Sequence, residues 1–136
     1  MKYLLIFSLL LSSSLCYSQV YRFRATQVCI SKEKSDEKAR WVKSTALIVE
    51  DIDKDIIALY TPNKITYAII QTDTARVEPD ETYIDARFTS QAVDKNGANW
   101  TLQVDLFKPN TMGYDAIFYF RSEGSLISYI ANLITE

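Results

Sequence analysis

A two-residue rhythm constrains this chain more than any other feature. Trp100, Leu102, Val104 and Leu106 alternate with Thr101, Gln103 and Asp105. Successive side chains of an extended strand point to opposite faces, so the four apolar residues share one face and the three polar ones the other. A helix would scatter them around its axis. The rhythm recurs from Tyr21 to Ile30, where Tyr21, Phe23, Ala25 and Cys29 oppose Arg22, Arg24 and Thr26. It returns from Lys64 to Thr72 with Ile65, Tyr67 and Ile69, and from Glu81 to Val93, where Ile84, Ala86 and Phe88 oppose Tyr83, Asp85 and Arg87. Tyr114 to Arg121 carries it once more, with Ala116, Phe118 and Phe120 on the core face.

Turn chemistry separates these runs. Thr45–Asp51 and Asp55–Thr61 are β-rich and meet through Ile52-Asp53-Lys54, which predicts a hairpin. Thr61-Pro62-Asn63 ends that pair. Asp94-Lys95-Asn96-Gly97 is a further hairpin signal, because Asn and Gly both tolerate positive φ. Pro109 to Gly113 turns the chain again. Ser31 to Ser44 is dense in charge and reads as a solvated loop or short helix anchored by Trp41 and Val42. Leu126 to Ile134 fits helical spacing, yet the Ser-Glu-Gly before it looks like a hairpin turn. We read it as a strand, with a helix as the alternative. The expectation is an all-β chain of about eight strands in up-and-down order, and such a meander removes its exposed edges by closing. A small antiparallel barrel, or a strongly curled sheet, follows.

The N-terminus predicts export. Met1-Lys2, an apolar run from Tyr3 to Leu11 and the small residues after it have the order of a signal peptide. The apolar run falls short of the roughly 20 residues a membrane-spanning helix requires. Cys16 and Ser18 suit the positions before a cut that would leave Gln19 first. Residues 1–18 are thus read as a signal peptide and 19–136 as one domain without a transmembrane segment, periplasmic or extracellular. Lipidation at Cys16 is the alternative, against which Leu15 argues. About 118 residues would remain, enough for one core. Cys29 would then be the only cysteine, which leaves no intramolecular disulfide and suits a buried, inert thiol.

Composition excludes several chemistries. The chain has no histidine, so triads, dyads and metal clusters that need imidazole are ruled out. A formal net charge of −2 offers no broad attraction for nucleic acid. Asp51, Asp53 and Asp55, and the run Asp94 to Asn99, half-match cation loops but lack the glycine and distant glutamate of a calcium site, so they read as turns. No metal or other cofactor is expected. Glu50, Asp85 and Asp105 are conceivable acids for glycoside hydrolysis, but no spacing selects a pair. A non-enzymatic role is the reading.

Ala46-Leu47-Ile48-Val49, Asp51 through Tyr60, and Asp94-Lys95-Asn96-Gly97 with Trp100 form a recurring rhythm of strands and acidic turns. In this the chain resembles small secreted lipocalin-like (calycin-like) proteins of Bacteroidota and their phages. The resemblance covers most of the chain after residue 18 and implies a barrel without naming an activity. The Gly-x-Trp of lipocalins is missing near the first strand, since Trp41 follows Arg40.

The aromatic supply suits a sugar or apolar ligand. Trp41, Tyr67, Tyr83, Phe88 and Trp100 are the candidate ligand-binding residues, with Trp41 and Tyr83 expected to be exposed. Asp73-Thr74-Ala75 resembles an acceptor for O-glycosylation of exported Bacteroidota proteins, which makes Thr74 a candidate modification site. Asn99-Trp100-Thr101 fits the N-glycosylation sequon, relevant only in a host with that machinery. The functional expectation is an exported binding module for a glycan or small apolar ligand. The alternative is a protein-interaction or assembly component of the cell envelope or a phage particle.

Overall fold

A computed structural model describes residues 19–32 and 39–135. The signal-peptide reading, with its cut site and Cys16, lies outside the described residues. Nine strands follow in order: β1 (Val20–Lys32), β2 (Trp41–Lys43), β3 (Leu47–Asp51), β4 (Ile56–Thr61), β5 (Asn63–Thr74), β6 (Ile84–Asp94), β7 (Asn99–Phe107), β8 (Ala116–Ser122) and β9 (Ser125–Leu133). From β3 to β9 each pairs antiparallel with the next, and β1 pairs with both β3 and β9. The sheet thereby closes into an eight-stranded up-and-down barrel, with β2 as an additional strand on β1. This is the all-β, lipocalin-like architecture expected, and Leu126 to Leu133 lies in a strand. No helix among the described residues is long and apolar enough to cross a membrane.

The interior follows the predicted alternation. Phe23, Ile48, Ile57, Leu59, Tyr67, Leu102, Phe118 and Phe120 pack in one cluster, joined by partly buried Trp100 and Ile127. Phe23 meets Phe118 edge-on at 4.9 Å, and Tyr67 lies 5.2 Å from Phe120, so aromatic rings fill the upper interior. The β4–β5, β6–β7 and β8–β9 turns mark this upper end, and the β3–β4, β5–β6 and β7–β8 connections mark the lower. In the β6–β7 turn Gly97 alone takes the left-handed conformation, at φ 82°, while Asn96 does not. Gly97 N–H donates to the Asp94 carbonyl, and the Asp94 carboxylate accepts from the N–H groups of Asn96 and Ala98. The hairpin therefore forms as expected, with the aspartate rather than the asparagine as its organiser.

Three expectations are corrected. The charged segment after Ile30 is not a loop or helix from Ser31: β1 runs to Lys32, and Trp41–Lys43 form β2. Trp41 and Val42 do not anchor that segment, being 43% and 56% exposed. Secondly, the register of β1 on β9 shifts between Ala25 and Gln27. This bulge reverses the alternation, so Val28 packs on the core while Cys29, opposite Ser128, faces outward. Cys29 is nevertheless buried and free of disulfide. Thirdly, a shift between Ile84 and Ala86 turns Ile84 away from the face of Ala86 and Phe88.

Ile84 instead joins Phe107 and Ile117 in a cluster on the outer wall, with Val77, Tyr114 and Tyr119 against it. The connection 75–83 thus lies as a strap over β6–β8. Ala75 N–H donates to the Arg87 carbonyl at 2.8 Å, and Tyr83 stacks on Phe107 at 6.1 Å. Arg87 fixes the strap by charge. Its Nε and Nη2 donate to the Asp105 carboxylate at 2.7 and 3.1 Å, and Nη1 and Nη2 donate to Glu81 at 3.2 and 2.8 Å. Bonds to both carboxylates hold the guanidinium well above its ordinary pKa, with Asp105 the larger cause. Arg87 in turn holds Glu81 below the usual carboxylate range.

Candidate functional site

The upper rim brings together Tyr67 and Trp100, two of the five ligand-binding candidates. Tyr67 faces inward from β5, and Trp100 starts the inward series of β7. Their rings meet edge-on with centroids 5.4 Å apart. Tyr67 is 2% exposed and forms the floor; Trp100 is half-buried and forms a wall. Burial, then Tyr129 and Asp94, push the Tyr67 phenol up to about 12, so it stays neutral.

A half-open recess of about 400 Å³ lies above these rings. Its sides are Ile65 and Ile127, and its edge carries Lys64, Asp94, Lys95 and Asn96 from the β4–β5 and β6–β7 turns. Trp100 Nε1 donates to Asp94 Oδ2 at 3.0 Å, which locks the indole to the turn. That bond, more than those from Ala98 and Asn96, holds the Asp94 carboxyl below the usual range. Trp100 also borders a second recess of about 580 Å³, lined by Gln91, Asn99, Thr101 and Arg121. One indole therefore separates an apolar hollow from a polar one. Recesses of this size suit a small ligand.

The other three candidates lie elsewhere. Phe88 is 1% exposed and packs with Ile52 in a separate cluster at the lower end of the interior. Trp41 is exposed on β2, opposite Cys29 on the outer wall. Tyr83 is 37% exposed and stacks on Phe107 at the strap. The exposure expected of Trp41 and Tyr83 is present, but neither adjoins the rim recess. Thr74 is the exposed last residue of β5, paired with Phe88.

The three conceivable acids share no cleft. Glu50 faces the interior from β3, Asp105 lies outside under Arg87, and Asp85 is exposed at the bulge of β6. The barrel wall stands between Glu50 and Asp105, so these two cannot flank one glycosidic bond. The acidic turn residues are occupied locally: Asp51 Oδ1 accepts from Lys54 N–H and Asp53 Oδ2 from Gln19 N–H. Among the described residues no group of three or more metal-ligating side chains converges.

Sequence reasoning missed the polar edge, Lys64, Asp94, Lys95 and Asn96. The signal was available in the short spacing from Asp94 to Trp100 across a hairpin turn, which returns the indole to the aspartate. No family model, curated protein or solved structure matches this chain.

Proposed function

We propose that this protein is an exported, non-enzymatic binding module that takes a short saccharide at the upper rim of its barrel. The observation that carries the reading is the single indole, Trp100, standing between two recesses of about 400 and 580 Å³. A sugar ring offers an apolar C–H face to an aromatic plane and hydroxyls to its surroundings. The rim supplies both, with indole at the centre and lysine, asparagine, glutamine and carboxylate groups around it. The bond that Trp100 donates to Asp94 and the packed Tyr67 hold the indole in place before a ligand arrives, which reduces the ordering cost of binding. The test is a panel of oligosaccharides in thermal unfolding and tryptophan fluorescence. A binder at 100 times its dissociation constant is expected to stabilise the protein by about 3 kcal/mol. Trp100→Phe is expected to abolish that gain. No shift with any saccharide, or a shift that survives Trp100→Phe, rejects the assignment.

The alternative role, protein interaction, draws on a different place. Ile30, Trp41 and Val42 are 64%, 43% and 56% exposed where, among the described residues, β2 pairs only with β1. An exposed strand of this kind suits β-augmentation by another chain. Light scattering over a concentration series checks it against self-association.

A further inference from the structure

The two ends of the barrel differ in charge. At the lower end the β3–β4 turn, the strap and the β7–β8 connection bring together Asp51, Asp53, Asp55, Glu78, Asp80 and Asp115, which Lys54, Arg76 and Lys108 offset in part. The upper end is basic. Lys64 and Lys95 stand at its turns, Lys32 ends β1 opposite Ser125 beside the β8–β9 turn, and the exposed Arg40 and Lys43 flank the centre of β2. None of these cations is in an ion pair with a described residue. Of the acids at this end, Asp94 is already engaged by Trp100 and two turn N–H groups, and Glu123 lies in the β8–β9 turn.

The same end carries an apolar tip. β2 continues the line of β3 along β1: Ala25 N–H donates to the Ala46 carbonyl at 2.8 Å, and Ser44 N–H to the Thr26 carbonyl at 3.0 Å. β4 does not follow, because its pairing with β3 ends at Leu47 and Tyr60 and the chain then turns into β5. β2 and the end of β1 therefore rise past the β4–β5 turn. Val42 stands opposite Val28, which packs on the core, so Val42 has the inward phase, and Ile30, two residues beyond Val28, shares it. Trp41, opposite Cys29, has the outward phase. Exposed apolar side chains thus occupy both faces of one hairpin. Residues 33–38, which join its strands, are Glu, Lys, Ser, Asp, Glu and Lys, so they add no apolar group and a nearly balanced charge. A rigid protein surface covers one face of a sheet, whereas the interface of a bilayer surrounds a tip on both.

We propose that the β1–β2 hairpin is a docking tip that seats the upper end of the barrel on a bilayer containing anionic phospholipid, with Ile30, Trp41 and Val42 in the boundary between headgroups and acyl chains and the surrounding lysines and arginine against the lipid phosphates. An indole suits that depth, being apolar in its body and polar at its N–H. Each lysine or arginine held near an anionic surface contributes about fivefold in affinity, and the apolar side chains contribute by leaving water. The acidic lower end is repelled by the same surface, which fixes the orientation of the barrel. The inference does not rest on the saccharide reading. It also differs from pairing of β2 with another chain, since a strand partner uses the backbone edge of β2 and has no need of lipid charge.

The test uses the protein beginning at Gln19, which contains every strand of the closed barrel and omits the apolar run Tyr3 to Leu11, itself able to enter a bilayer. It is sedimented with vesicles of phosphatidylcholine alone and of equal parts phosphatidylcholine and phosphatidylglycerol. Binding to the anionic vesicles is expected to exceed binding to the neutral ones by roughly tenfold or more, and to fall as salt is raised. Lys43→Ala is expected to weaken it about fivefold. Ile30→Asp is expected to weaken it by roughly tenfold or more, since a carboxylate then replaces an apolar group at the boundary. Vesicles with brominated acyl chains are expected to quench tryptophan fluorescence in the unaltered protein and not in Trp41→Phe, where Trp100 remains. No binding to anionic vesicles at low salt, equal binding to both kinds, undiminished binding by Ile30→Asp or undiminished quenching in Trp41→Phe overturns the proposal. Absence of vesicle binding together with concentration-dependent light scattering assigns the tip to a protein partner instead. The comparison of lipids and salt on the unaltered protein decides even if a variant fails to fold.

Discussion

Glu50 and Asp105 are both almost fully buried, at 2% and 3% exposed, yet their surroundings differ in kind. Asp105 lies on the outer wall under the strap, bound by two nitrogens of Arg87 and by Gln103 Nε2 at 3.1 Å. Glu50 lies on the inner wall between a phenol and an isoleucine, and among the described residues no cation pairs with it. The first arrangement is a clasp: Arg87 takes Asp105 from the barrel and Glu81 from the strap, and so joins the two pieces of chain. The second joins nothing. A buried charge with full partners is explained by structure, whereas one without them needs a proton or a ligand.

Removing the charge at each position sharpens that contrast, and the largest effect is expected from pH. The Glu50 carboxyl is raised from 4.5 to about 8 on folding. Between those values the folded state keeps a proton that the unfolded state has lost, so stability is greatest at the acid end and falls as pH rises toward 8. The folding constant should drop roughly tenfold per pH unit, or about 4 kcal/mol from pH 5 to 8, in urea titrations. Glu50→Gln should flatten that profile and be the more stable protein at pH 8. A wild-type profile already flat across this window would show that Glu50 is not shielded as described. Next in size, Arg87→Ala should cost about 3 kcal/mol, because it strands Asp105 and frees Glu81. Limited proteolysis should then cut within residues 75–83. Smallest is Asp105→Asn, at about 1–2 kcal/mol, since the amide keeps one acceptor for Arg87 while Glu81 retains its own bonds. An amide at Asp105 thus weakens the fold, and the same change at Glu50 strengthens it at high pH. Effects of the same sign at pH 8 would erase the distinction.

Much of this architecture was legible in the residues. The inward series Trp100-Leu102-Val104-Leu106 and Ala116-Phe118-Phe120 stand as read, because an uninterrupted period of two admits one assignment of faces. The series through Cys29 and Ile84 did not survive. A bulge at Thr26 and another at Asp85 each insert a residue, and neither Thr nor Asp announces one. Strand β2 was hidden for another reason: its three exposed residues carry no alternation and owe their state to pairing with β1. The candidate site was legible by half. Tyr67 and Trp100 have the right phase for the interior and meet at the rim; Phe88 has that phase too but lies in the lower core, while Trp41 and Tyr83 stand on the outer wall.

By itself the sequence determined that this chain forms short antiparallel strands joined by acidic turns, and that histidine chemistry is absent. Local propensity and period carry that information within ten residues or so. Only the tertiary structure decided which face of each strand became the inside. Ala46-Leu47-Ile48-Val49 is apolar on both faces, so the phase that hides Glu50 is set by closure of β1 onto β3 and β9, not by its neighbours in the chain. The same closure sends Asp105 outward to Arg87. Burial is a property of the assembled barrel, and it makes one carboxylate a clasp and leaves the other bare.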